Sequence, residues 1–150
     1  MRVVLDGRLW LGNAGDLRDP TVLDRQGIRA VVQVALEERP PQLPRELLCC
    51  HFPIVDGENE PSVVAVALEA AAALVRTATP TLICCGAGMS RSPAIAAGAL
   101  AIATEADPDG CLMQIISGQP HDVSPALWSG ILSYLHSRQG GANSPNRGQA

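Results

Sequence analysis

Residues 84–93 read CCGAGMSRSP, which sets Cys85 and Arg91 at the two ends of a run of five small or flexible residues. That spacing lets one short loop wrap its backbone around a tetrahedral anion. Gly86 and Gly88 reach backbone conformations closed to other residues, so successive N–H groups from Gly86 through Ala87, Gly88, Met89 and Ser90 can turn into one cavity. A helix starting near Ser92 adds its unpaired N–H groups and the positive end of its dipole. Arg91 brings a planar fork of donors that matches a phosphate edge. The thiolate is the reactive form of cysteine, and such a field favours it. A Cys85 thiolate under a bound phosphate is placed for in-line attack on phosphorus, forming a phosphocysteine. Ser92 can hydrogen-bond that sulfur and assist it as the leaving thiolate in the second step.

These groups need elements to hold them. Thr81-Leu82-Ile83-Cys84 is β-branched and apolar, as a buried strand is. Ala94 to Thr104 is alanine-rich and helix-prone. The run strand, Gly-rich loop, helix separates an anion site from a plain Gly/Ala turn. Along the whole chain the pattern predicts a hairpin at 3–12, a short helix at 20–26, and strands at 30–36, 47–53 and 81–84. Helices are expected near 61–77, 92–105, 108–117 and 124–138. Strands alternating with helices predict an α/β fold, a central mostly parallel sheet of about five strands with helices on both faces. The loop then lies at a strand's C-terminal end, where such sheets bind ligands.

The run CGAGMSRS, Cys-x5-Arg followed by Ser, resembles the signature of the cysteine-dependent protein phosphatases, and within that superfamily the dual-specificity branch. The resemblance extends to the opening Leu5-Asp6-Gly7-Arg8-Leu9-Trp10-Leu11-Gly12-Asn13-Ala14 and to Gln26 through Val34. It also takes in Pro125 followed by Trp128, so that it spans about residues 3–136. It implies a phosphatase-like fold and four catalytic residues: Cys85 as nucleophile, Arg91 as phosphate clamp, Ser92 assisting the thiolate, and an aspartate that protonates the departing oxygen. Asp56 stands 29 residues before Cys85, a separation similar to the family's, on an Asp-Gly turn that closes a second apolar strand. An Asp-Gly turn is common in any fold; with the loop present, Asp56 is the expected acid, and afterwards the base for the hydrolytic water. Glu58 and Glu60 are its rivals, read as solvated loop charges. Two positions depart from the family: Cys84 stands where a histidine is usual, and Ala126 where many relatives carry Asn. Cys84 reads as a core residue, since buried free cysteine packs as a small hydrophobe, with a redox role as the alternative.

Composition bounds the rest. The chain has 150 residues, 47% of them hydrophobic and 17% charged, a net charge of −4, and no lysine. That suits one compact domain, expected over 1–139, with a Gly-, Asn- and Ser-rich tail at 140–150 expected to be disordered. No leader or spanning segment is evident, and five cysteines without one suggest a reducing, cytoplasmic setting. Vicinal Cys49-Cys50 and Cys84-Cys85 lack the spacing of zinc ligands and face opposite ways in strands, so no metal is expected. No cofactor is expected either, and Cys111 reads as core. No basic run resembles a nucleic-acid or membrane footprint. Relatives that act on inositol phospholipids or RNA ends carry basic or His residues in the loop. With uncharged Gly86, Ala87, Gly88 and Met89, the resemblance implies a phosphorylated protein side chain instead. Segment 11–17 and the Gln119-Pro120-His121-Asp122 turn are candidate walls, with His121 and Asp122 also readable as plain exposed turn. The expected activity is phosphomonoester hydrolysis, and the resemblance to the dual-specificity branch implies phosphotyrosine, with phosphoserine or phosphothreonine, as its substrates. The alternatives are a catalytically weak module that captures phosphorylated partners, or a sulfur-transfer or arsenate-reducing enzyme.

Overall fold

Alternation along three parallel strands divides the apolar residues between two faces of one sheet. Leu9, Leu11, Val32, Val34, Ile83 and Cys85 belong to one buried cluster, and their neighbours Trp10, Val31, Leu82 and Cys84 to another. The computed structural model, which describes residues 1–5 and 7–142, builds that sheet from β1 (Arg2–Leu5), β2 (Leu9–Asn13), β3 (Ala30–Val34), β4 (Leu48–Phe52) and β5 (Thr81–Cys85). The order is β1-β2-β5-β3-β4; β1 pairs antiparallel with β2 and every other pair is parallel. Asp6, in the expected hairpin, lies outside the described residues.

The two faces are covered unequally. The larger cluster packs under α2 (Pro61–Arg76), α3 (Arg91–Thr104), α4 (Pro108–Ile116) and α5 (Pro125–Ala142). The smaller is closed by Leu17 of a 3-10 turn (Ala14–Leu17), Leu23 of α1 (Pro20–Arg25) and Ile28. Helix α2 buries Val64, Ala67, Leu68, Ala71, Ala72 and Val75, the i, i+3, i+4 stripe of an amphipathic helix. Burying a side chain such as Leu68 stabilises the fold by about 2 kcal/mol. Helix α3 has no polar face; Arg91 to Ile102 are all buried. It lies between α2 and α5, and its small residues let both approach. A Cβ on Gly98 would stand 2.6 Å from a Leu68 methyl and 3.0 Å from a methyl of Ile131.

The sheet has the expected class, strand number and mostly parallel sense. Its short structures differ in detail. The 3-10 turn is a capping box, in which the Asn13 side chain accepts from Gly15 N–H and Asp16 accepts from Asn13 N–H. Helix α5 continues through Gly140 and Gly141 to Ala142, past the expected start of the tail at 140. Its buried Leu127, Ile131 and Leu135 hold one face to the core, and the last residues follow on as helix. The rest of the expected tail, 143–150, lies outside the described residues. Among the described residues no helix is long and apolar enough to cross a membrane.

Candidate active site

Strand β5 is the middle strand, with parallel neighbours β2 and β3 on its two sides. The loops leaving those neighbours therefore flank the loop leaving β5, which is how α/β sheets build a ligand crevice. Ala14 N–H donates to Gly86 O at 3.4 Å on the β2 side. On that side Gly88 takes φ +77°, and a Cβ there would stand 2.8 Å from Gly12 O, so the chain requires glycine at this point. On the β3 side stand Glu37 and Glu38. The Gln119–Asp122 turn also reaches the loop, through the Asp122 N–H donating to Met89 O at 2.9 Å. Both expected walls thus lie against it, while His121 and Asp122 are exposed.

Cys85 ends β5 and is 2% exposed. Three polar groups gather on its sulfur: Gly88 N–H donates at 3.2 Å, Ser92 N–H donates at 3.5 Å, and the Ser92 hydroxyl shares a hydrogen bond with it at 3.3 Å. Ser92 is fully buried in the first turn of α3, so its hydroxyl and N–H are held by the helix. Arg91 opens α3. Its two terminal nitrogens are held by the two carboxylate oxygens of Glu37, and one of them also donates to Ile54 O at 3.1 Å. The Glu37 hydrogen bond raises Arg91 above the ordinary guanidinium value. In return, hydrogen bonding to Arg91 lowers the Glu37 carboxyl from 4.5 to about 2. Arg91 Nε is buried without a hydrogen-bond partner.

Asp56 is brought to the loop by Ser90, whose hydroxyl donates to Asp56 Oδ1 at 2.5 Å. The Ser90 oxygen in turn accepts from Ser124 N–H at 3.0 Å. Ser90 occupies the N-cap position of α3 yet makes no capping bond, because its side chain serves this bridge instead. Asn59 fastens the turn that carries Asp56: it accepts from Val55 N–H at 2.9 Å and donates to Val55 O and Gly57 O, each at 3.0 Å. Glu58 and Glu60 are exposed.

Cys85, Arg91, Ser92 and Asp56 therefore converge on one loop, with Gly86, Ala87, Gly88, Met89 and Ser90 forming it. Two residues that hold this arrangement, Glu37 and Asn59, are not among the site residues expected from the sequence, and Ser90 is expected only as part of the loop. Glu37 falls in the charged, proline-rich stretch 37–44, Asn59 stands between two glutamates, and the loop spacing uses only the backbone of Ser90. No local signal marks the role of the Glu37 or the Ser90 side chain, since the partner of Glu37 is 54 positions away and that of Ser90 34.

Cys84 points to the opposite face, fully buried in the smaller cluster with Trp10, Leu17 and Leu82. Burial pushes its thiol up to about 12, as a core residue requires. Cys111 is buried too, and Cys49 is exposed. One cavity borders the loop, and a second lies beyond the turn that carries Asp56. The first, of about 240 Å³, is lined by Gly12, Asn13, Ala87 and Gly88 together with Met1 and Arg2. The second, a larger groove of about 590 Å³, lies between the Gly57–Asn59 turn and α5, and Ala126 lines it.

No family model matches the sequence, and no curated protein does. Solved structures do. Human DUSP28 is 24% identical, with a TM-score of 0.81 over 94% of this chain and 99% of that one. A mouse putative dual specificity phosphatase complexed with zinc tungstate is 24% identical, with a TM-score of 0.78 over 97% and 92%. The human tyrosine phosphatase-like serine/threonine/tyrosine-interacting protein is 17% identical, with a TM-score of 0.77 over 93% and 97%. At these identities the likeness is one of architecture: this chain has the fold of the dual-specificity phosphatases.

Proposed function

We propose that this chain is a cysteine-dependent phosphomonoester hydrolase acting on phosphorylated protein side chains. The observation that carries the reading is the convergence of two backbone N–H groups and the Ser92 hydroxyl on the Cys85 sulfur, in a loop closed by a buried arginine. These donors are arranged to hold negative charge, first on sulfur and then on the phosphoryl oxygens. Arg91 and the loop N–H groups bind the phosphate. Cys85 attacks phosphorus, and the bond from phosphorus to the substrate oxygen breaks as the sulfur–phosphorus bond forms. Asp56 gives its proton to the departing oxygen, Ser90 holding Oδ1 so that Oδ2 is left to carry it. Water then attacks the phosphocysteine, Asp56 takes its proton, and Cys85 leaves as a thiolate that the Ser92 hydroxyl supports. Inorganic phosphate is released. This chemistry uses no metal or cofactor, and a reducing, cytoplasmic setting suits the nucleophile.

One observation favours a second reading, a module that captures phosphorylated partners with little turnover. Position 84, occupied by histidine in the resembling family, holds a cysteine turned into the core.

Hydrolysis of an aryl phosphate tests both. The wild type should release phosphate, and Cys85→Ser and Arg91→Ala should each lose about a thousandfold or more of that activity. Phosphopeptide binding without phosphate release would support the module. Turnover of thiosulfate or arsenate in place of the aryl phosphate would overturn both.

A further inference from the structure

Acidic residues lie on several stretches of chain that reach the Cys85–Arg91 loop. Glu37 is paired with Arg91, and its charge is answered there. Glu38 stands beside it: a methyl group built on Gly86 would lie 3.5 Å from a Glu38 carboxylate oxygen. Asp56 touches the loop through Ser90, and exposed Glu58 follows on the same turn. Exposed Asp122 is tied to Met89 through its backbone. The cations nearby are fewer. Arg2 turns its guanidinium to Ile115 O at 2.8 Å, and Arg39 and His121 each adjoin an acidic residue in the chain.

The centre of the site has the opposite demand. Arg91 has a side chain only 9% exposed, and its Nε is buried with no partner although both terminal nitrogens are engaged. The guanidinium lies along the loop, 3.4 Å from where a Gly86 side chain would begin. A buried cationic donor left open is a position for an anion's oxygen. The site thus attracts an anion at its middle and repels one at its edge. Leu36 and Met89, 56% and 42% exposed, offer apolar contact beside these charges.

We propose that the substrate is a phosphorylated peptide segment with arginine or lysine next to the phosphorylated residue. The phosphoryl group sits in the loop, and the flanking cations meet Glu38, Glu58 and Asp122. This rests on the reading of the loop as a phosphate site. A glutamate in the flanking position would place like charges together, and a lysine or arginine opposite ones, so charge complementarity selects between them.

Two phosphotyrosine peptides test it, alike in length and apolar content, one flanked by arginine and one by glutamate. Binding is measured on Cys85→Ser, and phosphate release with the wild type. The arginine peptide should bind about tenfold tighter at low salt, with the difference shrinking as salt screens it. The further changes Glu38→Gln, Glu58→Gln and Asp122→Asn together should bring the ratio close to one. Equal binding, tighter binding of the glutamate peptide, binding of neither, or an unchanged ratio in the combined variant overturns the proposal. Selective binding of the arginine peptide without phosphate release from either leaves this assignment standing and removes the hydrolase reading.

Discussion

Two side chains that touch no substrate in the proposed reaction set the geometry of those that do. Ser90 ties Asp56 to the loop, and Glu37 aligns the Arg91 fork. Replacing Asp56 by Asn should slow poor leaving groups, such as alkyl phosphates, far more than good aryl ones, because only the former need the proton. Ser90→Ala should show the same dependence on leaving group in weaker form, whereas a merely structural role would slow all substrates alike. Rates against leaving-group pKa for the three proteins check this. Glu37 makes a pH-dependent contribution of defined sign. Its carboxyl is lowered in the folded protein from 4.5 to about 2, so its stabilising effect is complete above the unfolded value and is lost as pH falls through the folded one. The stability gap between wild type and Glu37→Gln should therefore hold steady from neutral pH to about 5 and close as pH approaches 2, read by urea unfolding at each pH. Glu37 is 53% exposed, so solvent weakens the pair and the gap should be modest.

Helix α3 is the element on which both the site and the core depend. Its first turn carries Arg91 and Ser92, and its body is buried on all sides against β5, α2, α4 and α5. Gly98 is the point of closest approach to α2 and α5. Alanine is the better helix former by about 1 kcal/mol, but overpacking costs about 1–3 kcal/mol. The added methyl would meet both Leu68 and Ile131 within 3.0 Å, so the clash should win. Gly98→Ala should lower the urea midpoint. Because α3 also positions Arg91, it should reduce phosphate release as well. Gly130 on α5, with nothing near its missing Cβ, is the control. Gly130→Ala should be neutral or stabilising by up to about 1 kcal/mol.

At the scale of the whole molecule, one sheet separates two environments that adjacent cysteines report. Cys85 faces the larger cluster and ends at the loop, whereas Cys84 faces the smaller one, sealed by Trp10, Leu17 and Leu23. Cys84 therefore lies on the face away from the loop's contents. Its burial, and a thiol pushed up to about 12, should make it inert to alkylation at neutral pH until the sheet opens globally. Exposed Cys49, on edge strand β4, should be alkylated in the native protein. Mass spectrometry of the labelled protein across a urea series should show Cys84 modified along the unfolding curve. Its modification well below that curve would mean that the smaller face opens by itself.

The sequence by itself determined the class of fold and the chemical centre. Strands alternating with helices along the chain predict a mostly parallel sheet, and period-two alternation puts Cys84 and Cys85 on opposite faces. The spacing from Cys85 to Arg91, with glycine at 86 and 88, is a local property that needs nothing distant to be read. Only tertiary structure decided what holds that centre. Glu37 looked like one more charge in a proline-rich loop, because its role exists only once β3 lies beside β5 and brings it to Arg91, 54 positions on. The Ser90 link to Asp56 likewise spans 34 positions and depends on the Asn59 clamp that shapes the turn. The end of α5 at Ala142, beyond the expected boundary, belongs to the same class: the glycines there argue against helix locally, and a helix already docked through Leu127, Ile131 and Leu135 carries them on. Short-range patterns reveal elements and reactive groups; pairings between distant segments arise from the packing that folding creates.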